Sequence, residues 1–417
     1  MPDTFSGRTV NLYVFNELTR ASIYGIGTYI YELTEALRHC HINVCIVNLK
    51  SDKPQVETEI KDGISYWSFP APIPQRTIDL KKQQERYYQN VVYLFRLYIK
   101  DKKNLIFHLN YNHCGKLAKE LKNAFVCKII AVVHYPGWDF SIHNNLSRLL
   151  TASNTEYPDD FNKNLKKTIE EEMSLYLIVD HLICLSNFMY EILCRVYGLN
   201  STKMTIIPNG LTDRKKNECD NKLLRKKWYV SSKEKIILFV GRMDKGKGLE
   251  FLFKAFRKIL QTNSKYRLVI AGDGKFSEYT SESQDICTRI IYTGLLDKSQ
   301  LYEWYRIADV GVIPSLFESF GYVAVEMMMH GLPIVATATT GLDEVIDDSC
   351  SLKVPIIEYS DKIEVDTDLL AEKISYLLQH LKEARLMSEN SRKRFLKYYS
   401  LENFRNNMLE FYRSLFV

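Results

Sequence analysis

The sequence predicts an α/β protein built from two doubly wound domains, each around a parallel sheet. Short apolar runs, typical of buried strands, alternate along the chain with longer segments of helical periodicity. The chain has 417 residues, enough for two or three domains of ordinary size. A polar, charged stretch at residues 212–235 interrupts the alternation. This stretch predicts a linker between two domains.

Composition narrows the class of protein. Apolar residues make up 46% and charged residues 25%, as in a soluble globular enzyme, and no apolar run reaches the ~18 residues of a membrane span. The start of the sequence shows no secretory apolar region. The nine cysteines include no CxxC pair, which suits a reducing cytosol and argues against structural zinc. We expect a cytoplasmic protein, with peripheral contact to the inner membrane face left open.

The net charge alone does not indicate that the protein binds nucleic acid. The formal charge is +6, an excess compatible with phosphorylated ligands or an anionic membrane face. Residues 80–100 form a basic, aromatic predicted helix in which Tyr87, Val91 and Phe95 recur at helical spacing. This stripe either packs on the domain's own sheet, which we favour, or docks on a membrane. An acidic run at Glu170–Glu172 is predicted to be a solvated helix face.

The first strand leads into a glycine-containing segment. Val10–Phe15 is a predicted strand, and Gly25 and Gly27 lie in the predicted loop before a helix. A glycine-rich turn lets the backbone approach a phosphate, although a plain tight turn explains the same residues. The dinucleotide fingerprint requires a third glycine where Ile30 stands, which argues against a dehydrogenase.

A histidine follows another apolar run in the first half. His134 comes directly after IIAVV, at the predicted carboxyl end of a parallel strand, where open α/β sheets bind ligands. A purely structural histidine is the alternative. Trp138 in the following loop either stacks on a sugar or packs.

The second half opens with a basic strand–loop–helix junction. The predicted strand Ile236–Val240 is followed by GRMDKGKG, in which Arg242 and Lys247 are five residues apart. Two cations at a glycine-bounded helix start suit a diphosphate. Lys245 competes for the second cationic role, and a solvated basic turn is the other interpretation.

The most informative segment is Pro314–Glu344, which predicts loop, helix, turn, strand and loop. Glu318 and Glu326 are eight residues apart, roughly 12 Å along a helix. Ser319–Gly321 are predicted to open the helix, so that their N–H groups form an anion site between the two carboxylates. Carboxylates accept hydrogen bonds from vicinal hydroxyls. Two solvated glutamates are the alternative, but Glu326 lies among apolar residues.

This segment resembles the E-x7-E region of retaining family-4 glycosyltransferases. IPNG at Ile207–Gly210 resembles the turn that ends the first domain of that family, and Gly241–Gly248 resembles its GR…KG motif. The resemblance implies the GT-B fold, with two Rossmann-like domains facing each other across a cleft. It sets the expected bounds at residues 1–209 for the first, acceptor-side domain and 210–391 for the second, donor-binding domain. It also implies that the terminal helix, about residues 392–417, crosses back to the first domain.

The resemblance assigns roles to residues. Glu318 would contact the donor sugar, Glu326 would hold the nucleotide ribose, and His134 would face the sugar near its reactive carbon. The catalytic group would be His134, Glu318, Arg242 and Lys247. The phosphates would be bound by Arg242, Lys247, Gly25, Gly27 and the backbone of Ser319, Phe320 and Gly321, and the base would be read at Gly294 and Leu295.

The implied reaction is transfer, with retention, from a UDP- or GDP-sugar to an acceptor hydroxyl. The acceptor would be a glycan, a lipid-linked glycan, a peptide or protein, or a small molecule, and no nucleic acid is expected. No cofactor or metal is expected beside the donor. The tripeptide Asp366–Asp368 has the DxD pattern that binds metal in a different glycosyltransferase fold. Helix capping explains this tripeptide better. Two alternative functions remain: a nucleotide-sugar epimerase or hydrolase, and a non-catalytic donor-binding subunit.

Overall fold

A computed structural model describes residues 9–18, 24–73, 79–138, 149, 160–215, 220–359 and 362–416. The described chain divides into two compact units. The first unit extends to Gly210 and takes up the chain again at Leu401, and the second runs from Leu211 to Ser400.

The first unit contains an eight-stranded sheet in the order β3-β4-β2-β1-β5-β6-β7-β8. All pairs are parallel except the hairpin between β3 and β4. The chain adds strands on one side of β1 and then continues on the other with β5, so the strand order reverses between β1 and β5. The strands are β1 (Val10–Glu17), β2 (Ile42–Ser51), β3 (Glu57–Lys61), β4 (Ile64–Pro70), β5 (Leu105–Leu109), β6 (Cys127–Val133), β7 (His181–Cys184) and β8 (Met204–Ile206).

Helices alternate with these strands, as parallel connections require. The second helix buries Tyr87, Tyr88, Val91 and Phe95, and Phe95 contacts the rings of Phe15 and Phe107 on the sheet. The aromatic stripe therefore packs on its own sheet. The helices are α1 (Gly25–Leu37), α2 (Leu80–Tyr98), α3 (Gly115–Ala124), α4 (Asp160–Ile178) and α5 (Asn187–Tyr197).

The second unit contains a seven-stranded sheet in the order β11-β10-β9-β12-β13-β14-β15. Its strands are parallel up to β14, and β15 pairs antiparallel with β14. Strand order reverses between β9 and β12. The strands are β9 (Lys235–Val240), β10 (Tyr266–Ala271), β11 (Ile290–Gly294), β12 (Val310–Ile313), β13 (Ile334–Ala338), β14 (Ser351–Glu358) and β15 (Ile363–Val365).

The helices of the second unit cover a core centred on Phe239, Leu252, Phe256 and Ile374. Asp366 caps the helix at Thr367 by accepting from the N–H groups of Asp368 and Leu369, so the DxD tripeptide is a helix cap. The helices are α6 (Asn221–Lys227), α7 (Leu249–Thr262), α8 (Phe276–Glu282), α9 (Lys298–Ile307), α10 (Tyr322–His330), α11 (Thr340–Val345), α12 (Thr367–Gln379) and α13 (Leu381–Arg394).

The terminal segment is not one helix from about residue 392. Helix α13 ends at Arg394, a π-helical turn follows at Phe395–Tyr399, and extended Ser400 separates it from α14 (Leu401–Ser414). Only α14 belongs to the first unit. Its Arg405 donates from Nε to the carbonyl of Ala36, at 2.6 Å.

A buried histidine joins α14 to the first sheet. His108 on β5 lies between two hydroxyls, with Nε2 3.2 Å from Tyr29 and Nδ1 2.9 Å from Tyr412 on α14. Burial, followed by the nearby ring of His134, lowers the pKa of His108 to about 3. The ring is therefore neutral near pH 7, as burial without a counter-ion requires.

The predicted α/β class with two parallel-dominated sheets is confirmed. Each unit has helices packed around a sheet whose strands are buried in the core. None of the helices in the described ranges combines the length and the apolarity needed to cross a membrane.

Candidate functional site

The loops after β9 and β12 meet at the reversal point of the second sheet. Lys247 comes from the first loop and Glu318 from the second, and Nζ of Lys247 lies 2.6 Å from Oε1 of Glu318. Ser315 donates its hydroxyl to the same oxygen at 2.8 Å. Crevices at such reversal points are where open α/β sheets bind ligands. Two residues 71 positions apart in sequence thus form one partly buried polar cluster.

A close backbone approach holds the two loops together. The N–H of Leu316 donates to the carbonyl of Gly246 at 2.9 Å. Gly248 has φ +65°, and a Cβ there would lie 1.9 Å from the carbonyl oxygen of Pro314. Glycine is required at position 248 because any side chain would force the loops apart.

A third loop fixes the backbone of Glu318. The hydroxyl of Thr340 accepts from the N–H of Glu318 at 2.9 Å and donates to its carbonyl at 2.7 Å. The N–H of Gly341 donates to the same carbonyl at 2.9 Å. A Cβ on Gly341 would lie 2.3 Å from the carbonyl oxygen of Ser319, so α11 starts close against this loop. The position of the Glu318 carboxylate therefore depends on β13 and α11 as well.

The helix between the two glutamates begins later than predicted. Helix α10 starts at Tyr322, and Ser319 and Phe320 are buried residues of the preceding loop. Gly321 caps the helix with φ +105°, which favours glycine. The N–H of Ala324 donates to the carbonyl of Gly321 at 3.0 Å. The prediction that Ser319–Gly321 open the helix was wrong, because the positive φ of Gly321 is incompatible with helical geometry.

Glu326 lies in a second cluster. It is 2% exposed, and its carboxylate contacts Nζ of Lys298 and accepts from the hydroxyl of Tyr305 at 2.9 Å. Burial and then the Glu326 carboxylate raise the pKa of Tyr305, so its hydroxyl stays protonated and donates. His330 stacks on Tyr305 with ring centroids 5.2 Å apart, and its Nδ1 lies 2.9 Å from the carbonyl oxygen of Glu326.

The remaining predicted residues of the second unit follow neighbouring strands. Nε of Arg242 lies 3.2 Å from a carboxylate oxygen of Asp244, whereas Lys245 is exposed. Gly294 ends β11, and its carbonyl accepts from the N–H of Gly272 at 3.0 Å. Leu295 is 55% exposed just beyond. Since β9, β10 and β11 are parallel, all of these residues lie at one edge of the sheet.

His134 follows β6 at the carboxyl edge of the first sheet. Its Nε2 lies 3.0 Å from Oδ1 of Asn110, and its ring meets the ring of Tyr29 edge-on at 4.7 Å. Burial lowers the pKa of His134 to about 3. The imidazole is therefore neutral near pH 7 and acts there by hydrogen bonding rather than as a cation.

Gly25 and Gly27 do not lie in a loop. Helix α1 begins at Gly25, with Tyr24 as its cap, and the N–H of Thr28 donates to the carbonyl of Tyr24 at 3.0 Å. Both glycines thus belong to the first helical turn. The first N–H groups of a helix lack intrahelical partners and favour an anion, so this position still suits a phosphate.

Sequence analysis missed the loop after β5. Asn110 contacts His134, and Asn112 donates to Glu172 at 2.7 Å and to the carbonyl of Tyr135. Glu172 is buried and also accepts from the N–H of Gly137 at 2.6 Å. The prediction of a solvated Glu172 was wrong, because the side chain of this last residue of the acidic run faces the protein interior.

Trp138 packs. It is fully buried and donates from Nε1 to the hydroxyl of Tyr197 at 2.9 Å. That hydroxyl in turn contacts Glu172. Burial raises the pKa of Glu172 against the opposing effect of its three donors.

A buried ion cluster at the reversal point of the first sheet was also missed. Glu17 ends β1 and is 1% exposed, with Nζ of Lys50 at 2.9 Å and Nε2 of His113 at 3.0 Å. Burial alone would raise the pKa of Glu17, but His113 and Lys50 lower it to about 2. Cys114 brings a third metal-ligand type within 4.8 Å of Glu17 and His113. Because the Lys50 ammonium already neutralises Glu17, we interpret the group as an ion-pair cluster.

Lys298 and Tyr305 were also missed in the second unit. They are seven residues apart on α9, hence on one face of the helix, and both point to Glu326. That spacing, on the helix preceding the E-x7-E segment, is the signal that sequence analysis had available.

The resemblance implies a nucleoside diphosphate sugar as the donor, and on that expectation we predict that Gly341→Ala weakens its binding by tenfold or more. The new Cβ would meet the carbonyl oxygens of Ser319 and Glu318, at 2.3 and 3.0 Å, and displace the Glu318 loop. Isothermal titration calorimetry measures the affinity. Gly198→Ala in the first unit controls for backbone strain without a clash, because a Cβ there meets nothing within 4 Å although φ is +62°. Equal donor affinity of Gly341→Ala and wild type would contradict this account.

Comparison with known proteins identifies the family. The family model for glycosyl transferases group 1 matches residues 220–394, and the model for glycosyltransferase family 4 matches residues 23–214. An uncharacterized glycosyltransferase of Methanocaldococcus jannaschii is 34% identical over 174 residues, which are 39% of this chain and 44% of that protein. The chain spans about half the length of the curated relatives it matches.

Solved structures share the fold of the whole chain. Sucrose-phosphate synthase from Thermosynechococcus elongatus has a TM-score of 0.75 at 23% identity, covering 98% of this chain and 99% of that one. Anabaena HepE in complex with UDP-glucose has a TM-score of 0.73 at 14% identity, covering 97% and 99%. The fold is therefore that of GT-B glycosyltransferases. With family models matched over both halves, the chain belongs to the family-4, group 1 glycosyltransferases.

Proposed function

We propose that this protein is a retaining glycosyltransferase that moves a sugar from a UDP- or GDP-sugar to an acceptor hydroxyl. The observation that carries the proposal is the cluster of Lys247, Glu318 and Ser315 at the reversal point of the second sheet. It offers a cation for phosphate and a carboxylate for sugar hydroxyls within one hydrogen-bonded group. Family membership supports the same reaction class.

The donor diphosphate would be bound by Arg242, Lys247 and the N-terminus of α10. Both cations face carboxylates, those of Asp244 and Glu318. A diphosphate would draw the two cations away from these carboxylates or share them. As the bond to the sugar breaks, negative charge grows on the leaving diphosphate, and positioned cations stabilise it.

The two glutamates would divide the rest of the donor between them. Glu326 is buried and oriented by Tyr305 and Lys298, which suits the fixed acceptance of two ribose hydroxyls. Glu318 is partly accessible and lies beside Lys247, which suits the sugar next to the phosphates. The backbone at Gly294 and Leu295 would read the base.

The first unit would supply the acceptor side, with His134 facing the donor sugar. A neutral imidazole held by Asn110 can hydrogen-bond a sugar hydroxyl without competing for the phosphates. Attack on the same face as the departing diphosphate would retain the anomeric configuration. The acceptor hydroxyl would pass its proton to a leaving phosphate oxygen. The acceptor class stays open between glycan, lipid-linked glycan, peptide or protein, and small molecule.

We also propose a cytoplasmic location. The eight described cysteines are all free thiols, as expected in a reducing compartment.

A nucleotide-sugar epimerase or hydrolase would use the same donor contacts, and donor turnover without an acceptor product would favour it. A donor-binding subunit without catalysis would bind the donor and never turn it over.

The two carboxylates should separate in binding assays. Glu326→Ala should weaken binding of the free nucleoside diphosphate, because the ribose hydroxyls lose their acceptor. Glu318→Ala should leave that affinity near wild type but reduce sugar transfer, since its carboxylate faces the sugar. Calorimetry with UDP and GDP, together with a transfer assay, measures both effects. Equal nucleotide affinity in the two variants would contradict the assignment of Glu326 to the ribose and Glu318 to the sugar.

His134 should matter for turnover and not for nucleotide affinity. His134→Ala should keep the fold and the affinity for the nucleoside diphosphate while losing most transfer activity. His380→Ala is the matched control, because this histidine is exposed and lies outside the proposed site, so its loss should leave transfer and nucleotide affinity unchanged. Normal activity of His134→Ala would leave only a structural role for the ring.

Catalysis should proceed without a divalent metal. Arg242 and Lys247 at the diphosphate would supply the positive charge, helped by the dipole of α10. Activity should therefore survive excess EDTA, whereas Arg242→Ala or Lys247→Ala should each lower turnover by ~100-fold or more, by analogy with the loss of one oxyanion donor. Lys245→Ala is the matched control on the same loop. Complete loss with EDTA, restored by magnesium or manganese, would refute the scheme.

A further inference from the structure

The outer face of α2 carries a row of cations that the proposed reaction does not use. Lys82, Arg86 and Arg96 are exposed on α2, and Lys100 is exposed two residues beyond its end. Successive members of the series 82, 86, 89, 93 and 96 are three or four residues apart, so they line one side of the helix. The row is about 21 Å long at the helical rise.

These cations differ from their neighbours in having no carboxylate partner. On the side of α2 near α3 and α4, Lys81 pairs with Glu171 at 3.1 Å and Glu85 pairs with Lys116 at 3.2 Å. Within the part of the chain that the structure describes, Lys82, Arg86 and Arg96 form no ion pair. The outer face therefore carries uncompensated positive charge.

Apolar side chains lie within the same row. Tyr93 is 60% exposed and Leu97 is 51% exposed, and they are one turn apart between Arg86 and Lys100. Neither is needed for packing, because the opposite face of α2 is buried on the sheet through Tyr87, Val91 and Phe95. The helix thus presents one face to its own core and a second, cationic and apolar face outward.

We propose that the outer face of α2 docks on the surface of an anionic phospholipid bilayer. Exposed basic residues attract anionic headgroups, while an aromatic and a leucine side chain between them insert at the headgroup boundary. A straight row about 21 Å long matches a planar surface better than a small ligand. An exposed leucine adds nothing to phosphate contacts along a nucleic acid, which disfavours that partner.

Sedimentation with vesicles tests this proposal on the full chain. The probes are vesicles of phosphatidylglycerol and phosphatidylcholine in equal parts and vesicles of phosphatidylcholine alone. Wild type should bind the first at low salt and release as ionic strength rises, because the charges are screened. It should bind the second far more weakly.

Two variants locate the contact. The triple variant Lys82→Gln, Arg86→Gln and Arg96→Gln should bind anionic vesicles about 100-fold more weakly, which corresponds to about 1 kcal/mol for each basic residue. Tyr93→Ala with Leu97→Ala should also weaken binding, by about tenfold, at unchanged charge. All five side chains face solvent, and circular dichroism checks that the fold is kept.

A control triple removes the same charge elsewhere. Lys222→Gln, Lys226→Gln and Lys233→Gln lie on exposed positions of the second unit and should leave vesicle binding unchanged. Three results would overturn the proposal: equal loss in the control triple, equal binding of wild type to both vesicles, or capture by a duplex oligonucleotide without binding to vesicles.

Discussion

The close approach of the loops after β9 and β12 is the constraint on which the second unit depends. Strand order reverses between these neighbours, so their loops leave in opposite directions along the sheet and open a crevice. Gly248 lets the backbone at Pro314 come close enough to join Lys247 to Glu318. A residue with a Cβ at 248 would separate the cation from the carboxylate without touching either. The chemistry is thus positioned by backbone geometry.

The buried carboxylates of both units have hydrogen-bond partners. Glu326, Glu17 and Glu172 are nearly inaccessible, and each has at least two hydrogen-bond donors. His108 and His134 are instead held neutral, because burial lowers both pKa values to about 3. A buried charge without partners would cost several kcal/mol. The two histidines are therefore neutral near pH 7, and such fixed hydrogen-bonding groups suit a preorganised site.

Much of this was readable from sequence because periodicity and local order report directly on strands and helices. The parallel strands, α10 and the cap at Asp366 follow from such patterns. The start of α10 did not, because the positive φ of Gly321 is a tertiary constraint. Glu172 was misjudged since one residue of an acidic run turns inward. Lys50 lies on β2 and His113 in the turn after β5, and only the order of strands in the sheet brings both to Glu17.

The two faces of α2 show how one helix can serve the fold and a surface at once. Phe95 is fully buried against the sheet while Tyr93, two residues earlier, is 60% exposed. Substitutions on the outer face therefore change charge and apolar area with little effect on packing. If that face lies on a bilayer, the carboxyl edge of the first sheet, where α2 begins after β4, is held at a fixed distance from the lipid.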